Sequence, residues 1–269
     1  MNFNFYIPQK LKGISPIIWE MNADSPTNWQ MLPESLLSLT FKLKGPWKIH
    51  SEIFTEKSYN PTEKLSFICG LQTKPFKISF SNLQIMGVGL SPIAAKLLFG
   101  IPCSELLNYA VSTEEIFPEH IEMIENEIQK LPDFISRAIW IEDFVLKHLQ
   151  DHPDYGLAIK VSNVLDQITH NKIHGKPVDI YSLSGYSRMH TYRIFKDWVG
   201  LSPSKSIVIR QFNHTLENMH HNQETMTQIA LANGYYDQPH LIRTFKQFAE
   251  MTPREYLKNK TEVVGQLPF

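Results

Sequence analysis

Two stretches of this chain, fifty residues apart, are written in the same order, and any fold must accommodate both. Arg193, Phe195, Lys196, Trp198, Ser202 and Pro203 each return fifty residues later as Arg243, Phe245, Lys246, Phe248, Thr252 and Pro253. Such a repeat is one supersecondary unit used twice. A short helical pattern precedes Gly185 in the first copy and Gly234 in the second, with Ile180 or Ile229 five residues before the glycine. Each glycine is expected to end that helix in a left-handed conformation, and Ser187 or Asp237 to cap a second helix. Each copy is then helix, tight turn, helix. From glycine to arginine the first copy spans eight positions and the second nine; the extra residue belongs in the turn rather than in a packed helix.

On the second helix of each copy, Ile194 and Trp198, or Leu241, Phe245 and Phe248, are expected to face inward. Arg188, Tyr192, Gln238 and His240 face outward near the helix starts. A projecting polar amino-terminal end is the geometry that enters a DNA major groove. A glycine-turned helical hairpin is also a packing unit with no nucleic-acid role, and it is the doubled Arg-x-Phe-Lys and Ser/Thr-Pro punctuation that favours the first reading. These residues resemble the AraC/XylS family of bacterial transcription regulators, whose DNA-binding part holds two helix-turn-helix units joined by a long helix. The resemblance covers roughly residues 155–260, and Gln228 to Tyr256 matches the family signature closely. Tyr181 departs from it: it stands where the family has a small residue, as Ala230 does in copy two, which leaves the first unit open to being splayed or degenerate.

The repeat places Arg193 and Arg243 at corresponding positions, where they are expected to contact guanine edges or phosphates. The resemblance adds Arg188, Met189 and Tyr192 in copy one, with Gln238 and His240 in copy two. Met189 and Tyr192 suit a thymine methyl or a sugar, and Gln238 suits adenine; Pro239 is tolerated in a first helical turn.

A chain of 269 residues with 42% hydrophobic composition has room for two cores. Its formal charge of -1 conceals an asymmetry: residues 174–260 carry 11 Lys and Arg against 7 Asp and Glu, whereas residues 1–173 carry 15 against 19. The basic end is the end with the repeat, which suits a polyanionic partner. Cys69 and Cys103 have no metal-ligand spacing and read as reduced thiols of a cytoplasmic protein. Residues 1–6 lack the basic-then-apolar pattern of a secretory signal and no apolar run approaches ~18 residues, so neither secretion nor membrane insertion is expected. His50 is the only histidine before His120, which disfavours the metal-binding cupin seen among sensor domains of the resembled family. Without a phosphate loop, nucleophile elbow or paired carboxylates at an acid–base spacing, the chain reads as a non-enzyme with no cofactor and no metal.

In chain order, strand-like stretches run over Ile14–Trp19, Leu36–Leu43, Trp47–Phe54, Leu65–Leu71, Phe76–Phe80 and Gln84–Leu90. Short strands with Pro, Asn, Ser and Gly between them argue for an antiparallel barrel or sandwich. Trp19, Trp29, Trp47, Phe67 and Phe80 are core or pocket lining. Phe67–Pro75 with Gly87–Ala95 resembles the amino-terminal domain of a poorly characterised AraC-like subgroup, a resemblance that implies no ligand. Ser91 and Pro92 open a helix, and Pro102 to Ser104 another. Ile121, Ile124, Ile128 and Leu131 mark a third, and Asp133 opens a fourth that carries Ile135, Ile139 and Val145. Asp151 to Pro153 break the chain before a helix with Leu157, Val161, Leu165 and Ile168. After Lys260 the tail is expected to fray.

The fold class is therefore α+β. A β-rich sensor or association domain spans 1–115, a helical linker 116–153, and an all-α domain with two helix-turn-helix units 154–260. The function reads as sequence-specific DNA binding in transcription regulation, activation included, and open to control by an effector; the alternative is a small-molecule-binding or protein-interaction protein whose helix-turn-helix region is degenerate. Candidate partners are double-stranded DNA, a small-molecule effector, RNA polymerase and a second copy of the chain, without a membrane.

Overall fold

Short apolar strands, alternating most clearly over residues 37–43, shape the first half of the chain. In the computed structural model, which describes residues 2–11, 14–44, 66–80, 82–116, 118–174, 179–221 and 224–268, the strands are β1 (Asn2–Tyr6), β2 (Ile17–Ala23), β3 (Thr27–Met31), β4 (Leu37–Lys44), β5 (Ser66–Cys69), β6 (Phe76–Phe80) and β7 (Leu83–Leu90). Helix α1 (Pro92–Phe99), a 3-10 turn at Cys103–Leu106, strand β8 (Ala110–Ser112) and the single turn α2 (Thr113–Ile116) follow. The rest is helical: α3 (Pro118–Lys130), α4 (Phe134–Gln150), α5 (Tyr155–Ile173), α6 (Ile180–Ser184), α7 (Arg188–Trp198), α8 (Pro203–His221), α9 (Met226–Ala232), α10 (Gln238–Ala249) and α11 (Pro253–Asn259), closed by strand β9 (Gln266–Pro268).

Among the described residues the strands form two antiparallel sheets, ordered β1-β2-β7-β4-β5-β8 and β6-β3-β9. Leu37, Leu39 and Phe41 lie opposite Leu90, Val88 and Met86 and share one core with the helices. Alternate residues turn the other way, as a period of two requires. There Met21, Ile85 and Phe67 pack with Trp29 and Phe80 of the smaller sheet in a second core. Gly87 makes this possible, because a Cβ on it would come within 2.2 Å of the Trp19 ring. The expected aromatic residues are therefore core: Trp29, Phe67 and Phe80 are buried and Trp19 half-buried. Trp47, His50 and the expected strand Trp47–Phe54 lie outside the described residues, as do Gly175 to Val178 and Asn222.

Caps set the helix starts. Ser91 accepts from the Ala94 amide at 3.2 Å, and Asp133 from the Ser136 amide at 2.8 Å. The cap at Asp133 fixes the phase of α4, and that phase differs from expectation. Phe134, Ala138, Ile141 and Val145 are buried, whereas Ile135 and Ile139 are 50% and 43% exposed. The buried four follow one another at helical spacing, whereas Ile135 and Ile139 share a neighbouring face that Val145 does not continue. Polar locks seat α4 on the sheet. Arg137 pairs with buried Glu20 at 2.9 Å, while Glu142 accepts from the Tyr6 hydroxyl at 2.7 Å and the Lys10 amide at 2.5 Å.

Three further expectations are corrected. The strand expected at Ile14 begins at Ile17, because Ile14 is drawn into a turn by its amide bond to the Leu11 carbonyl. The helix expected after Pro102 stops after one 3-10 turn, ended by extended Leu107 and by Asn108 at φ +63°. The tail does not fray. Gln266–Pro268 pairs with Trp29–Met31, Leu267 is buried, and the Gly265 carbonyl accepts from the Leu32 amide at 2.8 Å.

The helical half is fastened to the β half at other points too. Lys96 of α1 pairs with Asp197 of α7 at 3.1 Å. Gly200, at φ +80°, lies so close that an added Cβ would stand 2.9 Å from the Cys103 carbonyl oxygen. Asn213 of α8 accepts from the Ser35 amide and donates to the Pro33 carbonyl, both at 2.7 Å.

Candidate nucleic-acid interface

The two copies fold as the repeat predicts. Gly185 stands at φ +68° and Gly234 at φ +71°. Ser187 accepts from the His190 amide and Asp237 from the His240 amide, at 3.3 and 2.7 Å, so α7 and α10 begin at equivalent residues. The extra residue of copy two falls between glycine and cap, where Tyr235 and Tyr236 replace Tyr186 alone. Each turn is locked from inside. Ser184, buried, shares a 2.8 Å bond with Thr191 in copy one. Asn233, buried, accepts from Gln211 through its carbonyl and from Asn218 through its side chain, and donates to the Ile229 carbonyl. Copy one is not splayed: the Gly185 amide reaches the Tyr181 carbonyl at 3.2 Å, and the half-buried Tyr181 ring lies beneath Arg188 instead of between the helices.

Inward, Thr191, Phe195 and Trp198 of α7 match Leu241, Phe245 and Phe248 of α10. Ile194 is half-buried, so Phe195 takes the inner place expected of it. Outward, α7 presents Arg188, Met189, Tyr192 and Arg193, with Met189 62% and Tyr192 45% exposed. On α10, Arg243 is exposed while Gln238 and His240 are half-buried. Among the described residues no carboxylate pairs with Arg188, Arg193 or Arg243, which leaves three guanidinium groups free for an external anion.

His240 is built into its turn. Its Nδ1 accepts from the Tyr236 amide at 3.3 Å, so the proton of the neutral ring sits on Nε2. Burial, then Lys172 and Arg243, push its pKa below the usual value, with Asp237 opposing. The ring thus offers a neutral donor beside Arg243. Lys172 is near because the end of α5 abuts this turn; a Cβ on Gly234 would come within 2.1 Å of its carbonyl oxygen.

Spacing missed three residues here. His190, exposed and edge-on to Tyr186 at 4.7 Å, is the counterpart of His240, and the fifty-residue offset would have found it. Tyr181 stood out only as a departure from the repeat. Thr227, whose hydroxyl donates to Gln238 Oε1 at 3.1 Å, gave no signal.

Comparison with known proteins agrees with this geometry. Residues 182–259 match a family described as a helix-turn-helix domain, and residues 9–112 match a domain of unknown function (DUF6597). The multiple antibiotic resistance protein MarA of Escherichia coli is 29% identical over 113 residues, covering 42% of this chain and 87% of MarA. The probable transcription factor PqrA of Proteus vulgaris is 30% identical over 82 residues, covering 30% of this chain and 67% of PqrA. Among solved structures, ToxT of Vibrio cholerae aligns over 95% of this chain and 97% of its own with a TM-score of 0.47 and 12% identity, a distant likeness. With two capped recognition helices, arginines in register and relatives of this kind, the chain belongs to the AraC/XylS family and is a DNA-binding transcription regulator.

Proposed function

We propose that α7 and α10 enter successive major grooves on one face of a duplex, about 34 Å apart for one helical turn, and that Arg193 and Arg243 are their principal readers. The observation that carries this is the pair of exposed arginines at equivalent positions, each without a carboxylate partner among the described residues. Arg188, Met189, Tyr192, Gln238 and His240 flank them. The work of the protein is binding rather than catalysis: cations displace counterions from phosphates and a few side chains read base edges.

The proposed division is a β-rich domain over 1–115, a linker over 116–153 and the DNA-binding domain over 154–260. The β-rich domain would bias DNA binding through a small molecule or a second copy of the chain, provided that ligand favours one state of the whole protein. The fastenings between the halves supply a route for that bias.

Gel shift against genomic fragments, with rising salt, tests the proposal. Specific fragments are expected to survive as salt rises. Arg193→Ala and Arg243→Ala should each cost ~1 to 3 kcal/mol of specific binding and relax preference at one position. Unchanged affinity and preference in both variants would remove the assignment.

A further inference from the structure

The leading side chain of each recognition helix is held from behind. Arg188 and Gln238 are equivalent, each the first residue of its helix. The Arg188 guanidinium carbon lies 5.5 Å from the centre of the Tyr181 ring, on α6. Gln238 Oε1 accepts from the hydroxyl of Thr227, on α9, at 3.1 Å. Tyr181 and Thr227 are not counterparts in the repeat, since Tyr181 matches the buried Ala230. Two unrelated side chains thus do one task at the same place in the two units.

The physical reasons differ. A cation at a helix start is disfavoured by the backbone dipole, and an arginine loses much rotamer freedom when it is fixed. A ring face offsets the first and reduces the second, because the guanidinium is already placed before DNA arrives. Tyr181 is a firm base for this: its amide donates to the Asp179 carboxylate at 3.1 Å, and its carbonyl accepts from Ser184 Oγ at 2.9 Å. In copy two the Thr227 hydroxyl turns Gln238 Oε1 toward the protein, so the amide presents its two N–H donors outward. That polarity suits an acceptor such as guanine O6 or N7 better than the donor–acceptor pair of adenine.

We propose that Tyr181 and Thr227 are positioning residues, and that base preference at the leading edge of each half-site is set by side chains that do not themselves touch DNA. This rests on the reading of α7 and α10 as the DNA-reading helices.

The test selects bound sites from randomised duplexes with the full chain, followed by affinity measurements on the best site. Tyr181→Phe keeps the ring and is expected to behave as the unsubstituted protein. Tyr181→Leu keeps apolar bulk without a ring face and should bind about two- to fivefold more weakly, flattening the same base pair that Arg188→Ala flattens. Combining Tyr181→Leu with Arg188→Ala should add nothing to Arg188→Ala. Thr227→Ser should preserve site choice, whereas Thr227→Val frees the amide and should shift choice toward adenine at the Gln238 position. Thr227 is exposed, so this arm stands even where Tyr181→Leu fails to fold. Normal site choice and affinity in Tyr181→Leu and Thr227→Val, alongside losses in Arg188→Ala and Gln238→Ala, overturn the positioning role and leave the DNA-reading helices intact. Silence of Arg188→Ala and Gln238→Ala in both measurements overturns the proposal together with that part of the reading it rests on.

Discussion

Gly185 and Gly234 end equivalent helices with the same backbone sign, yet they are not equally replaceable. A Cβ on Gly185 meets nothing within 4 Å, so Gly185→Ala carries only the left-handed strain of about 1 to 2 kcal/mol. A Cβ on Gly234 would come within 2.1 Å of the Lys172 carbonyl oxygen and 2.8 Å of that of Ile173, and this backbone has no flexible end to move aside. Gly234→Ala is therefore expected to be the more destabilising, and thermal melts that rank the two alike would contradict the packing of α5 on that turn. His240 makes a prediction of another sort. Its pKa is held below 6.5, chiefly by burial, so the folded chain takes up its proton less readily than the unfolded one. The resulting stability is present above pH 6.5 and is lost as pH falls through the folded pKa. Protonation also ends acceptance from the Tyr236 amide. Ring resonances of His240 followed from pH 8 to pH 5 should titrate below 6.5, and His240→Gln should lessen the acid sensitivity of the fold.

At the scale of elements, α4 owes its seat to a pair that is mostly withdrawn from water, with Glu20 and Arg137 side chains 5% and 15% exposed. Removing one partner strands the other. Arg137→Met is expected to cost about 3 to 5 kcal/mol, read by urea denaturation, and a loss below 1 kcal/mol would mean that apolar contacts alone hold the helix. This element also shows where sequence reading succeeds and fails. Asp133 announced its start, as Ser91 did for α1, because a cap is a local signal. The buried face is not readable from apolar identity, since isoleucines stand at the exposed positions 135 and 139 while the buried stripe includes Ala138 and the paired Glu142. Strand β4 was legible from its alternation. β1 is harder to read, because its Asn–Phe alternation is realised as only partial burial: Phe3 is half-buried and stacked on Trp29 at 5.7 Å, while Phe5 stays exposed. β8 and β9 have three residues each and exist through pairing with distant strands, which no local pattern records. The repeated helices are legible through repetition, but the contacts of Tyr181 with Arg188 and of Thr227 with Gln238 are not, because neither obeys the repeat.

The whole molecule holds together through one apolar core that runs from Leu39 and Val88 of the sheet to Phe245 and Tyr256 of the last helices. Its final fastening is the tail. Leu267 is 2% exposed, and Leu267→Ala should cost about 2 to 5 kcal/mol. A chain ending at Lys260 should also lose the bond from the Gly265 amide to the Tyr256 hydroxyl and unfold at lower temperature. Denaturant titrations that place both variants within 0.5 kcal/mol of the parent would show that the strand pairing adds nothing to stability. The path of the chain has a mechanical meaning as well. It leaves the β half through α4 and α5, builds both DNA-reading units, and comes back to the same half at β3. The chain therefore closes a hoop, and the Lys96–Asp197 pair and the bonds of Asn213 to Ser35 and Pro33 rivet it across the middle. A hoop riveted at several places moves only as far as its rivets yield, so releasing β9 alone loosens the helical half without setting it free.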